Sequence, residues 1–317
     1  MQEKIYYDAD AVIKELMILA KNREYVFRGY GKQNELYPNI IRDTDLRNCE
    51  IELLIAFEKY GMQYFSVNNA IDFMSYAQHF GLPTRLLDFT YNPFIALFFS
   101  LFMPKSSKYS EPGDKDFYYI RYCDKNSQIV FNSLPTLITN ADSIIKADTF
   151  AFQCKRSIET MAEIFRLLKE KHKENEEGKI EIFKILSYFS TVYRTTHNYK
   201  GIENVEDIGL FSPYFDELLD KFNKGKILFI EANQSSSRII MQQGLFMFPY
   251  NLDKKKHKDI LVNNTHLLKI HKSTRTVLLN FLENIGIDSF RLMPDLQNVC
   301  YAIKRKIIEE KRTLLQL

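Results

Sequence analysis

Tryptophan is missing altogether, and glycine occurs only 11 times and cysteine four times in 317 residues. So few glycines leave little material for loops that cradle phosphate with bare backbone. No GxxxxGK(S/T) loop occurs, and Gly29-Tyr30-Gly31 lacks the third glycine of a dinucleotide fingerprint. HExxH and GxSxG are also absent, which argues against metallohydrolase and serine hydrolase chemistry. The histidines are isolated, and the spacing of His266 and His271 is poor for one helical face. Cys49, Cys123, Cys154 and Cys300 form no CxxC pair, so we expect neither a disulfide framework nor a structural zinc, but reduced core residues. Forty-three basic against forty acidic residues give a net charge of +3, too balanced for polyanion binding by bulk charge. The longest apolar stretch, Pro93 to Met103, is about half the roughly 20 residues of a membrane span. The opening MQEKIYYDAD has no basic-then-apolar signal pattern, and nothing supports lipid anchoring. We expect a water-soluble, cytoplasmic protein.

What is present is aromatic: 25 Phe and 19 Tyr. Asp8 or Asp10 can cap a first helix with Val12, Ile13, Leu16, Met17 and Ala20 on one face. Tyr25 to Gly29 reads as a short strand. Asp45 to Tyr60 reads as a helix closed by Gly61, and a third helix runs from a Ser66 cap to Phe80, closed by Gly81. Asn92-Pro93 combines a capping side chain with proline at the first helical position. The helix it opens, to Phe102, is apolar nearly all round and should be buried. Asp116 to Cys123, Lys226 to Ala232 and Arg238 to Phe248 carry strand patterns. Thr274 to Asn284 and Ile303 to Leu314 carry helical ones. Residues 105–115 read as a polar loop and about 157–222 as a helical insertion. The expected fold class is α+β, a mixed sheet with surrounding helices. The expected division is an N-terminal helix (1–24), a main domain (25–300) and a charged C-terminal helix (301–317).

Chemistry concentrates in YAQHFGLPTRLLDFTYNPFIALFFS, residues 76–100. Gln78, His79, Thr84, Arg85, Asp88, Thr90 and Asn92 sit there among apolar neighbours. A charge in such surroundings must be paired or open into a cleft, because an unpaired buried charge is too costly. An Arg85–Asp88 pair, both residues partly buried, is the expected arrangement. Arg28 is expected in the same cleft, since buried polar groups converge on partners or ligands. On the strand expected at 238–248, alternation puts Arg238 and Gln242 on one face, toward that cleft.

Four blocks resemble the FRG-domain family in order: YVFRG with Phe27-Arg28-Gly29, then QHFGLPTRLLDFTYNP, SSSRIIMQQGLF and MPDL. The family's usual tryptophan after the aspartate is Phe89 here. The resemblance implies a bacterial-type cytoplasmic protein, linked with mobile elements and acting in phage defence or as a toxin.

The layout is also similar to the arginine-containing clade of ADP-ribosyltransferases, which implies an enzyme using NAD as co-substrate. On that likeness Arg28, Asp88 and Glu231 are the catalytic candidates. Arg28, Gly29, His79, Arg85, Thr90, Arg238 and Gln242 are the binding candidates, and no metal is expected. An arginine fork suits a pyrophosphate, the Tyr30, Phe80 and Phe89 rings offer a platform, and a carboxylate steadies developing oxocarbenium charge. The family-type ExE pair has no counterpart here. The alternative is a non-catalytic sensor or interaction domain whose arginines hold a nucleotide or nucleic acid. Lys254-Lys255-Lys256-His257-Lys258 is a candidate backbone contact or a solvated loop.

Overall fold

The computed structural model describes residues 3–43, 45–46, 49–61, 70–102, 116–132, 224–231, 237–249 and 252–294, with isolated positions beyond them. The loop at 105–115, the insertion at 157–222, the Ser66 cap and the helix from Ile303 to Leu314 lie outside the described residues or nearly so.

The strands are β1 (Glu3–Tyr6), β2 (Tyr25–Tyr30), β3 (Leu87–Thr90), β4 (Phe117–Asp124), β5 (Ile129–Asn132), β6 (Leu228–Glu231), β7 (Gly244–Met247) and β8 (His266–His271). They form one eight-stranded sheet in the order β1-β8-β4-β2-β3-β7-β6-β5. The outer pairs β1–β8 and β5–β6 are parallel and the inner pairs antiparallel. The sheet is mixed and the fold α+β. The N-terminal residues belong to this core: β1 is an edge strand of the same sheet, and α1 (Ala9–Leu19) packs into the same cluster as Phe27 and Leu97.

Alternation along the strands divides the core into two layers. One layer joins Phe27, Tyr118, Ile120, Tyr122, Leu268 and Ile270 to α1, α5 (Pro93–Leu101) and α8 (Arg275–Asn284). The other joins Val26, Tyr30, Leu87, Phe89, Phe229, Leu245 and Met247 to Leu36 and to Leu261 of α7 (Lys254–Asn264). The remaining helices are α2 (Asn39–Arg42), α3 (Glu50–Gly61), α4 (Ala70–His79), α6 (Ser237–Met241) and α9 (Ser289–Leu292).

Local signals that satisfy orphan helix-end groups operate as expected. Asp8 caps α1 by accepting from Ala11 N, and Asn92 caps α5 by accepting from Phe94 N and Ile95 N, with Pro93 supplying a residue that needs no donor there. Asn92 is therefore a cap. Gly81, at φ 94°, ends α4 with paired bonds from Gly81 N to Gln78 O and from Leu82 N to Ala77 O, a Schellman closure.

Several expectations are corrected. Residues 237–241 are helical, not extended. Gln243, at φ 47°, turns the chain, and only Gly244–Met247 pairs with β3. A four-residue β3 has no ladder to offer residues 238–243, so their β-branched pattern gains nothing from extension. In α1, Met17 is 58% exposed and Leu19 takes a core place instead. The helix after Asp45 starts at Glu50. Strands β1, β5 and β8 carried no expectation. The lysine run is the first turn of α7, capped by Asp253, with His257 buried and its lysines exposed. Of the cysteines described, Cys123 is buried but Cys300 is exposed. Burial pushes the Cys123 thiol up to about 12, with Asp124 adding to it, which leaves it protonated and unreactive.

Candidate functional site

The FRG tripeptide divides its labour among three neighbours. Phe27 is fully buried in the α5 layer. Gly29 lies where a Cβ would come 1.6 Å from Ala96 O and 2.9 Å from Ser100 N, so the strand and α5 approach backbone to backbone. Arg28 is drawn toward the place where β2 and β3 part: Phe27–Thr90 is the pair that joins these strands. Its Nη1 donates to Asp88 O and its Nη2 to Glu35 O, both at 2.7 Å. Burial lowers the Arg28 pKa to about 10, with Arg42 acting the same way against Asp88 and Glu35, and it stays charged at neutral pH. The Glu35 carboxylate in turn accepts from Gly31 N and Lys32 N, and His257 Nε2 meets the next carbonyl, Leu36 O, at 3.1 Å. Arg28 and His257 thus grip successive carbonyls of one turn.

The Arg85–Asp88 pair does not form. Arg85 pairs instead with Glu50, Nη2 to Oε2 at 2.7 Å, with the side chains 12% and 4% exposed. Arg85 N also donates to Glu50 Oε1, Nη1 to Pro249 O, and the guanidinium lies over the Phe248 ring. A charge so enclosed is held by partners within the protein.

Freed of Arg85, Asp88 is exposed and lines a cleft with Gln78, His79, Arg238, Gln242 and Phe246. The cleft is shallow and open to solvent, with an enclosed volume of about 50 Å³, well below that of sites that engulf a small molecule. Asp88 and Phe246 are cross-strand partners, on the sheet face opposite Phe89 and Leu245. Helix α4 brings Gln78 and His79 over one side, and α6 brings Arg238 to the other.

Hydrogen bonds set the orientation of this carboxylate. Thr84 donates to Gln78 Oε1 at 2.6 Å, which aims the Gln78 amide nitrogen at Asp88, at 3.0 and 3.2 Å from its two oxygens. The Arg238 side chain has no hydrogen bond or ion pair among the described residues, and the residue is half-buried. Gln242 donates its amide to Leu292 O at 2.8 Å, which leaves its side-chain oxygen as an acceptor. Arg238 and Gln242 do share a site, but as neighbouring turns of α6 and its end, Gln242 N bonding to Arg238 O, and not as a strand face.

The other candidates sit elsewhere. Thr90 is buried; its hydroxyl donates to Gln242 O and accepts from Asn92 N, so it anchors the cleft wall from behind. Glu231 does not line the cleft: it accepts from Tyr91 Oη and pairs with Lys125 Nζ at 3.3 Å. Burial and then the Glu231 hydrogen bond raise the Tyr91 pKa. Tyr30 and Phe89 are buried, so of the three proposed platform rings Phe80 alone faces solvent. Gln78 and Thr84 were visible in the sequence as polar residues in apolar company, but their link to Asp88 was not. No cluster of three metal-ligating side chains occurs among the described residues, nor any helix long and apolar enough to cross a membrane.

Residues 23–109 match the model of the FRG domain. The match takes in Phe27-Arg28-Gly29 and the QHFGLPTRLLDFTYNP block, and SSSRIIMQQGLF and MPDL lie beyond it. No curated protein and no solved structure matches the chain.

Proposed function

We propose that the FRG domain of this chain, together with α6, forms a binding site for a nucleotide-type molecule, and that the molecule is NAD, from which ADP-ribose is transferred. The observation that carries this reading is the presence, in one cleft, of a pre-oriented carboxylate at Asp88 and of a guanidinium at Arg238 that has no partner among the described residues. A ligand that satisfies both needs an anionic group for the arginine and hydroxyl donors or positive charge for the carboxylate. A ribose phosphate has the first two, and a cleaving N-glycoside adds the third.

In the transfer, the bond between ribose C1′ and the nicotinamide nitrogen breaks, and its electron pair leaves with nicotinamide, which departs neutral. C1′ gains oxocarbenium character, which the Asp88 carboxylate opposes electrostatically. A nucleophile on a target macromolecule, or water, then forms the new bond to C1′ and releases its proton to solvent. Gln78 keeps Asp88 aimed throughout by donating to both of its oxygens. Arg28 supports this site from behind, through the Asp88 main chain, and does not grip phosphate.

A second reading is favoured by one observation: Asp88 is the only acidic side chain lining the cleft among the described residues. Binding without turnover, as in a sensor, fits a single carboxylate as well. Incubating purified protein with NAD separates the two by chromatography of released nicotinamide. Release that is lost in Asp88→Asn supports transfer, and saturable NAD binding without release supports the sensor. An Arg238→Ala variant that binds NAD as tightly as the parent would overturn both.

A further inference from the structure

Strand β1 is an outermost strand of the sheet, and its far side pairs with no strand among the described residues. Such edges are commonly blunted by charge, a bulge or a covering element. This one carries apolar side chains in the open. Ile5 is 49% exposed, and Tyr7, just past the strand, 65%. Both lie on the sheet face opposite α1: Tyr6 packs against the α1 layer, side chains alternate, and the Tyr7 ring meets those of Phe117 and His271 at 6.0 and 5.0 Å. Over the other face, Glu15 of α1 holds Lys4 Nζ at 2.7 Å, so α1 stands above β1 itself. Ile18, one turn on from Glu15, is exposed as well. Apolar groups therefore accompany the open edge on both faces of the sheet.

We propose that β1 is a dimer interface, at which two copies of this chain join their β1 edges antiparallel about a two-fold axis through Ile5. Charge in register identifies the second copy as the occupant, independently of the nucleotide reading. A two-fold axis perpendicular to the sheet keeps each face continuous, so residues that meet across it share a face. Two registers of this kind overlap three residues of β1 with themselves. One centres on Lys4 and sets it against its own copy, which opposes like charges. The other centres on Ile5. It sets Ile5 against Ile5, Lys4 against Tyr6 and Glu3 against Tyr7, so no like charges meet and both exposed apolar residues are covered. Tyr7 brings a hydroxyl donor to Glu3, whose carboxylate holds Lys269 Nζ at 2.6 Å on the same face. The axis also puts the two copies of α1 on one face, where Ile18 adds apolar surface beside the joined edges.

The test is the mass of the full chain in solution, by sedimentation velocity from about 1 to 100 µM, the range that reveals a modest interface. The expected result is twice the mass of one chain at the upper concentrations. Ile5→Asp puts like charges on the axis and should leave a monomer throughout, with circular dichroism unchanged because the position is open in the single chain. Ile5→Cys places two Cβ atoms about 4.5–5.5 Å apart and should form an intermolecular disulfide on oxidation far beyond the parent's background, whereas Lys4→Cys should not. A parent chain that stays monomeric throughout would overturn the proposal and leave the edge to a foreign strand or to none. A dimer that survives Ile5→Asp would overturn it too. So would a dimer that cross-links through Lys4→Cys in preference to Ile5→Cys, since the charge argument that identifies the second copy then fails.

Discussion

Arg28 holds Asp88 by its main-chain carbonyl, not by its carboxylate, with Nη1 to O at 2.7 Å. The guanidinium therefore does two things at once. It satisfies a carbonyl left over where β2 and β3 separate, and it leaves the Asp88 carboxylate free for the cleft on the far side of β3. The second arm, to Glu35 O, ties the turn after β2 to the same point. Replacing Arg28 by Ala should release both carbonyls and cost about 2–4 kcal/mol. Arg28→Lys keeps the charge but lacks the fork that spans two acceptors, and should recover only part of this. Chemical denaturation gives the stabilities, and faster amide exchange at Ile40 and Ile41 would locate the effect.

Gly29 is the least replaceable residue of the tripeptide. A methyl group placed 1.6 Å from Ala96 O forces β2 and α5 apart through the centre of the core. Gly29→Ala should cost about 3 kcal/mol or more, or prevent folding. Gly31, whose nearest atom would be Ser100 O at 3.3 Å, should tolerate Ala with a small change in melting temperature. Equal melting temperatures for the two variants would contradict this reading.

Glu50 and Arg85 form the buried pair that the short Arg85–Asp88 spacing had suggested elsewhere. Glu50→Ala takes the carboxylate away from an enclosed guanidinium and should destabilise by about 3–5 kcal/mol. Asp88→Ala, at an exposed position, should change stability by about 1 kcal/mol or less. Thermal melts that rank these two variants the other way would reverse the assignment.

The three arginines first grouped as ligand contacts should separate in a binding assay. Arg238→Ala should lose at least tenfold in NAD affinity with its melting temperature intact, because no described partner depends on it. Arg85→Ala should lose stability first. A fully stable Arg85→Ala protein that no longer binds would place Arg85 in the site.

His257 gives the fold a defined acid sensitivity. Burial, the largest cause, and nearby Arg28 lower its pKa to about 4, against the backbone bond to Leu36 O, which raises it. Its Nδ1 has no partner, so a second proton has nothing to donate to. The unfolded chain binds that proton near the usual 6.5, so between pH 6.5 and 4 the unfolded state holds more protons and stability falls as pH falls. The loss attributable to this group approaches about 3 kcal/mol by pH 4 and is absent above pH 7. His257→Gln retains a donor for Leu36 O without the titration. Its urea-unfolding free energy should lack this component between pH 7.5 and 5; an unchanged pH profile would assign the effect to other groups.

Much of the scaffold is set by residues next to one another in sequence. Asp8, Asn92-Pro93 and Gly81 end or begin helices because each supplies, locally, the acceptor, ring or positive φ that a helix terminus requires. The alternation in Phe117–Asp124 needs no distant partner to be legible. The concentration of Gln78, Thr84, Asp88 and Asn92 in an apolar segment marked the site region for the same reason. What tertiary structure decided was which polar group meets which. Glu50 lies 35 positions from Arg85, and no local pattern ranks it above Asp88, three residues away. Residues 237–241 have strand composition but find no strand to pair with, so the chain coils and delivers Arg238 to the cleft from a helix. The division of roles within Phe27-Arg28-Gly29 depends on where α5 and β3 pass, and that is fixed only when the two layers close on the sheet.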